Sequence, residues 1–159
     1  MTDERIAIRD AVAQLCARFG HEYWSVLDRE RRYPEEFVAA LTEAGWLSIL
    51  IPEKYGGAGM GIAEAAIVLE TIDRSDGTAV AAHAQMYTMG TVLRHGNEEQ
   101  KQRYLPDIAS GKSRLQAFGV TEPNAGSDTT RIQTSAVRDG RHFIVNGQKV
   151  WTSRVQHSD

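Results

Sequence analysis

The chain has 159 residues, a net charge of −3 from 18 basic and 21 acidic side chains, and 42% hydrophobic residues. This composition excludes a disordered or collagen-like chain. There is no block of Lys and Arg, which argues against nucleic acid as a main partner, and no stretch approaches the roughly 20 apolar residues of a membrane span. We therefore expect a soluble globular protein that would hold any anionic ligand through local groups.

The few side chains that could bind a metal or undergo redox chemistry are predicted to have structural roles. Cys16 is the single cysteine, which excludes an internal disulfide and is typical of a protein in the reducing cytoplasm. It lies among apolar positions of helical spacing, so we expect a buried core residue rather than a nucleophile. His83, His95, His142 and His157 lack the spacing of metal ligands, and no metal site is predicted.

The first part of the chain carries the apolar periodicity of helices. Apolar residues recur every three or four positions over residues 3–31, which predicts one long helix with a bend at Gly20. A second helix is predicted to start at Pro34 and to stop at Gly45. The glycine-rich stretch 52–61 has no Gly-Lys-Ser/Thr ending, so it is interpreted as a connecting loop rather than a phosphate cradle.

Three more helices are predicted, over about residues 63–74, 78–95 and 97–111. Asn97 and Gln100 have the spacing of a reciprocal cap at the start of the last helix, and Pro106 should kink or end it. Five amphipathic helices joined by short loops predict a helical bundle over residues 1–113.

After Gly111 the pattern changes to short strands. These are predicted over residues 115–120, 132–137 and 142–145, with hairpin turns at 138–141 and 146–147. The predicted fold is therefore α+β: an all-α helical bundle followed by an incomplete antiparallel β-domain over residues 114–159. Such a small β-domain would leave exposed edges and an unfinished core. We therefore expect either a truncated part of a longer chain or a partner surface supplied from elsewhere, and a fragment that is oligomeric, poorly soluble or dependent on the missing residues.

The stretch Phe118–Asp128, with the sequence FGVTEPNAGSD, has the chemistry of a binding loop. An apolar approach is followed by residues that favour a tight turn, namely Pro123, Asn124 and Gly126. Small residues allow a ligand close to the backbone, and free N–H groups in such a turn can form a concavity for a phosphate.

Together with a second stretch, Asn146–Ser153 (NGQKVWTS), this loop closely resembles the flavin-binding segment of the acyl-CoA dehydrogenase family. The upstream helices are similar to that family's N-terminal domain, so the resemblance covers nearly the whole chain. It implies FAD as the cofactor and an acyl-CoA thioester as the substrate. The implied reaction removes an α-proton to a carboxylate and passes the β-hydrogen as hydride to flavin N5, which yields a 2,3-enoyl thioester.

The resemblance also implies roles for individual residues. Cofactor binding is implied for Phe118, Val120, Thr121, Gly126, Ser127, Trp151 and Ser153. The first three would contact the pyrimidine end of the flavin, Ser127 the pyrophosphate and the CoA chain, Trp151 one face of the ring, and Ser153 the N5 region. The family usually has Trp-Ile-Thr where this chain has Trp-Thr-Ser, which keeps the hydroxyl of the third position.

Substrate binding is implied for Ser127 and for Met86, Tyr87 and Met89, because the corresponding helix of the family lines the acyl tunnel. From the residues alone, such a methionine and tyrosine group is more often part of the core than of a pocket. The family's catalytic base is a glutamate of a later helical domain that residues 1–159 do not contain, so no catalytic residue is assigned and the chain alone is expected to be inactive. Glu122 is interpreted as a structural partner within its turn.

The resemblance further implies a homotetramer or homodimer and an electron-transfer flavoprotein as electron acceptor. Two alternatives stay open at this point. One is a flavin monooxygenase or oxidase relative with the same fold, and the other is a non-catalytic helical binding or assembly module.

Overall fold

A computed structural model describes all 159 residues and confirms the α+β class. The regular elements are α1 (Asp3–Cys16), α2 (His21–Glu30), α3 (Glu35–Glu43), α4 (Ile62–Asp73), α5 (Val80–His95), α6 (Glu98–Ala109), β1 (Ser135–Asp139) and β2 (His142–Asn146). Short 3-10 turns lie at Trp46–Ser48, Glu53–Tyr55, Thr129–Arg131 and Val155–His157. None of the helices combines the length and the apolar character that crossing a membrane requires.

The hydrophobic core lies within the helical bundle. Its larger cluster joins the apolar faces of α1, α3, α4 and α5, and it includes Cys16, as expected for a core residue. A smaller cluster packs α5 and α6 against the turn after α3, and it consists of Ile51, Tyr55, Met89, Leu105 and Ile108. Burial of these faces, rather than helix propensity alone, stabilises such a bundle.

The predicted long helix over residues 3–31 is wrong, because the chain breaks between α1 and α2. The break turns Phe19 and Trp24 onto Phe37, with ring centroids 5.3 and 4.9 Å from that ring in edge-to-face geometry. The indole N–H of Trp24 also donates to the carbonyl oxygen of Phe19 at 3.0 Å, which satisfies one acceptor at the broken helix end. Aromatic packing around α3 therefore outweighs the continuous apolar periodicity.

The glycine-rich stretch is a folded connector, as predicted. The N–H groups of Gly59 and Met60 donate to the carbonyl oxygens of Ile51 and Ile49 at 2.8 and 2.9 Å, so these groups are not free to bind a phosphate. A Cβ atom on Gly57 would lie 2.1 Å from the carbonyl oxygen of Ile51, which explains why only glycine fits there.

The predicted cap of α6 is confirmed. The N–H of Gln100 donates to Oδ1 of Asn97 at 2.8 Å, and the N–H of Asn97 donates to Oε1 of Gln100 at 2.9 Å. Pro106 does not end the helix, which continues to Ala109. The helical hydrogen bond after Pro106 is also retained, since the N–H of Ser110 donates to the Pro106 carbonyl oxygen.

Replacing Asn97 with alanine should lower the free energy of unfolding by about 1 kcal/mol, because an N–H of the first turn loses its acceptor. Urea denaturation followed by circular dichroism measures this loss. Asn97→Asp is the matched control, since it retains the acceptor oxygen and adds negative charge at the helix N-terminus. Equal unfolding free energies for Asn97→Ala and the unchanged protein would contradict the role of the cap.

The β part consists of one antiparallel hairpin. Its register pairs Ser135 with Asn146 and Asp139 with His142, and Gly140 supplies the turn at φ +59°. Every residue of both strands is exposed, as expected of an incomplete β-domain.

The predicted strand over residues 115–120 is absent, and the Asn146–Gly147 pair leads into no further strand. The N–H groups of Gln116 and Ala117 instead donate to the hydroxyl of Ser158, so they are unavailable for a ladder. The segment from Lys112 to Thr121 is therefore irregular and is held by side chains.

Candidate functional site

The two sequence stretches singled out above lie side by side. The N–H of Val150 donates to the carbonyl oxygen of Thr121 at 3.0 Å, and Nζ of Lys149 donates to that of Val120 at 3.1 Å. Residues 118–122 and 149–152 therefore form one continuous surface, although 27 positions separate Glu122 from Lys149 in the chain. One backbone hydrogen bond and one side-chain hydrogen bond thus make Thr121 a neighbour of Val150 and Val120 a neighbour of Lys149.

Glu122 holds this arrangement together. Its carboxylate lies 2.8 Å from Nζ of Lys149 and accepts hydrogen bonds from the N–H groups of Gln133 and Thr134 at 2.7 and 3.1 Å. Hydrogen bonds from Lys149 and from these backbone groups lower the pKa of Glu122 to about 2, so the side chain is ionised at neutral pH. Glu122 thus has a structural role, as predicted, but the partners of its carboxylate lie outside its own turn.

The predicted tight turn follows Glu122 directly. The N–H of Glu122 donates to the carbonyl oxygen of Ala125 at 2.9 Å, and the N–H of Ala125 donates to the backbone carbonyl oxygen of Glu122 at 3.1 Å. Beyond this turn, a Cβ atom at Gly126 would meet nothing within 4 Å, and Ser127 is exposed. A ligand therefore has open access to the backbone and to the hydroxyl here.

Two aromatic side chains on this surface are exposed to solvent. Phe118 is 47% exposed and Trp151 is 88% exposed. Trp151 also has a left-handed backbone, at φ 59°, a conformation that is uncommon for a bulky residue and often marks a functional site. Exposed aromatic side chains suit a planar ring system, and the hydroxyls of Ser127 and Ser153 are also accessible.

On the helical side, α5 meets this surface through Tyr87. The rings of Tyr87 and Phe118 lie edge to face, with centroids 5.3 Å apart, and His83 contacts Tyr87 on its other side at 5.2 Å. Met86 and Met89 are buried in the two hydrophobic clusters instead. Of the three residues suggested for the acyl tunnel, Tyr87 is the one at the surface beside a suggested cofactor residue.

Sequence reasoning assigned no role to three residues that shape this site. Lys149 lies within the second stretch. It is the one charged residue among the uncharged residues 146–153, which was a usable signal for a specific role. Gln116 is completely buried, and the hydroxyl of Ser158 bonds to the backbone of the segment before Phe118. Single glutamine and serine residues carry no sequence signal of this kind, because their partners lie more than 30 positions away.

Models of known families match most of the chain. Residues 2–112 match the acyl-CoA dehydrogenase N-terminal domain, and residues 117–159 match the acyl-CoA dehydrogenase middle domain. The chain belongs to the acyl-CoA dehydrogenase family.

Individual relatives agree with this placement. The chain is 37% identical over 158 residues to acyl-CoA dehydrogenase FadE12 of Mycobacterium tuberculosis, covering 99% of this chain and 40% of that protein. It is 33% identical to mitochondrial isovaleryl-CoA dehydrogenase of Pongo abelii, covering 100% of this chain and 38% of the relative. A solved acyl-CoA dehydrogenase from Geobacillus kaustophilus superposes with a TM-score of 0.89 at 30% identity, covering 100% and 42%. The chain thus spans about 40% of the length of these relatives.

Proposed function

We propose that this chain is the FAD-binding part of an acyl-CoA dehydrogenase that introduces an α,β double bond into an acyl-CoA thioester. The observation that carries the proposal is the contact of residues 118–122 with 149–152, which together present the exposed aromatic side chains of Phe118 and Trp151. Family membership supports the same conclusion.

The chain's own residues would bind and orient the cofactor. Phe118, Val120 and Thr121 would contact the pyrimidine end of the flavin, Gly126 and Ser127 the pyrophosphate, and Trp151 one face of the ring. The Ser153 hydroxyl would donate a hydrogen bond near N5, where such donors stabilise developing negative charge. When bound, FAD would supply the acceptor for the hydride that leaves the β-carbon.

The acyl-CoA would lie beside α5. Tyr87 is the exposed aromatic residue of that helix next to Phe118, so it would contact the acyl chain, with Met86 and Met89 packed behind it. Ser127 would also contact the CoA chain. The carboxylate base would come from outside residues 1–159.

The remaining assignments complete the proposal. The protein would be a cytoplasmic homotetramer or homodimer that passes electrons to an electron-transfer flavoprotein. The helical bundle would end at residue 113 and the β-domain would begin at residue 114.

The purified protein should show the visible absorption bands of bound flavin. In a longer protein that also supplies the carboxylate base, acyl-CoA thioesters of one range of chain lengths should bleach these bands anaerobically. Replacing Trp151 with alanine should weaken FAD binding roughly tenfold, because the ring loses a stacking partner. Fluorescence titration of the apoprotein with FAD measures this change. Tyr104→Ala is the control, since Tyr104 is also an exposed aromatic residue but lies on α6.

The possible negative results separate the alternatives. A colourless protein that takes up no added FAD would favour a non-catalytic helical module. A longer flavoprotein that contains the carboxylate base and that no acyl-CoA reduces would favour a monooxygenase or oxidase relative.

A further inference from the structure

A buried glutamine lies where the segment before Phe118 crosses the helical bundle. Gln116 is 0% exposed, and its Oε1 accepts a hydrogen bond from the Tyr33 hydroxyl. Its Nε2 donates to Oε1 of Gln85, a buried residue of α5, at 3.3 Å. The side chain of Gln116 therefore joins two separate parts of the bundle, the loop before α3 and the middle of α5.

The backbone of Gln116 forms hydrogen bonds with the last residues of the chain rather than with the helices. The N–H of Gln116 donates to the Ser158 hydroxyl at 2.9 Å, and its carbonyl oxygen accepts from Nε of Arg154 at 3.4 Å. Both partners belong to the stretch that follows Trp151. Gln116 thus connects the helices with the residues just before the first stretch of the suggested cofactor site and just after the second.

These contacts define the register of the segment on α5. Gln116 contacts Gln85, and two positions further along both elements Phe118 contacts Tyr87. The segment has no ladder partner, so regular backbone pairing does not set this alignment. A slip by one residue would place Ala117 at Gln85 and leave a buried amide without its partner, which is costly.

We propose that Gln116 is a positioning residue for the cofactor. The chain of hydrogen bonds from Tyr33 through Gln116 to Gln85 sets the register of residues 114–121, and this register places Phe118 and Val120 where they bind FAD. The inference rests on the proposed function, since it assumes that FAD binds at this surface.

Gln116→Met tests the inference, because it retains the length of the side chain and removes both polar atoms. The dissociation constant for FAD should rise about tenfold, which corresponds to the loss of a buried hydrogen-bonded connection. The visible circular dichroism of the bound flavin should change as well, because Phe118 shifts. The double variant Gln85→Met with Gln116→Met should bind FAD no more weakly than Gln116→Met alone, since the two residues share one hydrogen bond.

Thr71→Val is the matched control. It removes another buried hydrogen bond of the bundle, from the Thr71 hydroxyl to the Ile67 carbonyl oxygen within α4. This variant should lower the melting temperature of the apoprotein but leave the FAD dissociation constant and the flavin spectrum unchanged.

The outcomes distinguish the inference from the function on which it rests. If the wild-type protein binds no FAD, both the positioning role and the proposed function are overturned. If the wild-type protein binds FAD and the Gln116→Met variant has the same FAD affinity and the same flavin spectrum, the positioning role alone is overturned. If Gln116→Met does not fold, Gln85→Met decides with the same two measurements, because it breaks the same bond from the other side.

Discussion

Replacing Glu122 with glutamine should destabilise the protein at neutral pH and weaken its affinity for FAD. The glutamine amide has one acceptor oxygen, whereas the carboxylate has two that face Lys149 and the N–H groups of Gln133 and Thr134. At least one of these donors would then face the NH₂ group of the new side chain. Because this cluster joins residues 118–122 to 149–152, we expect the two stretches to separate.

The effect of Glu122→Gln should depend on pH with a definite sign. The pKa of Glu122 is lowered in the folded protein from 4.5 to about 2, so its stabilisation is fully present above pH 4.5 and is lost as the pH falls through 2. The stabilities of the variant and the unchanged protein should therefore converge over this window. Urea denaturation between pH 7 and pH 2 measures the convergence.

Glu53→Gln is the control for this experiment, because Glu53 is an exposed carboxylate on a 3-10 turn of the helical part. It should show no such convergence. A Glu122→Gln variant whose unfolding free energy equals that of the unchanged protein at pH 7 would contradict the role assigned to the carboxylate.

Replacing Phe37 with alanine should remove about 3–5 kcal/mol from the free energy of unfolding. Phe37 is 1% exposed, and it is the residue on which Phe19 and Trp24 pack after the break between α1 and α2. The variant loses the transfer free energy of the ring and leaves a cavity. Such a loss is a large share of the 5–15 kcal/mol that typically separates folded from unfolded domains.

Equilibrium denaturation measures this loss, and Phe37→Leu provides the graded comparison. Leucine fills part of the same space, so its loss should be clearly smaller. If both variants lost the same free energy, the cavity left by the ring would not be the cause of the effect.

Local sequence features were sufficient wherever the stabilising partners lie within a few residues. The cap formed by Asn97 and Gln100 spans three positions, and the hairpin turn at Gly140 joins strands that are adjacent in the chain. Both were predictable, because such partners are visible as a short spacing. The two stretches of the candidate site were recognisable for a related reason, since each is a run of consecutive residues.

Predictions failed where a distant partner competes with a local pattern. The apolar periodicity over residues 3–31 indicated one helix, but packing of Phe19 and Trp24 on Phe37 breaks it. The alternation over residues 115–120 indicated a strand, but the N–H groups of Gln116 and Ala117 donate to the hydroxyl of Ser158 instead. Neither competing partner can be identified from the local sequence.

The family, the helical bundle and the hairpin were predictable from the amino-acid sequence, and the two motifs suggested the cofactor residues. The contact between Glu122 and Lys149 and the hydrogen bond between Gln116 and Gln85 of α5 became visible in the folded chain alone. The physical reason is that buried polar groups must find partners wherever the folded chain brings them, and sequence distance does not limit that choice.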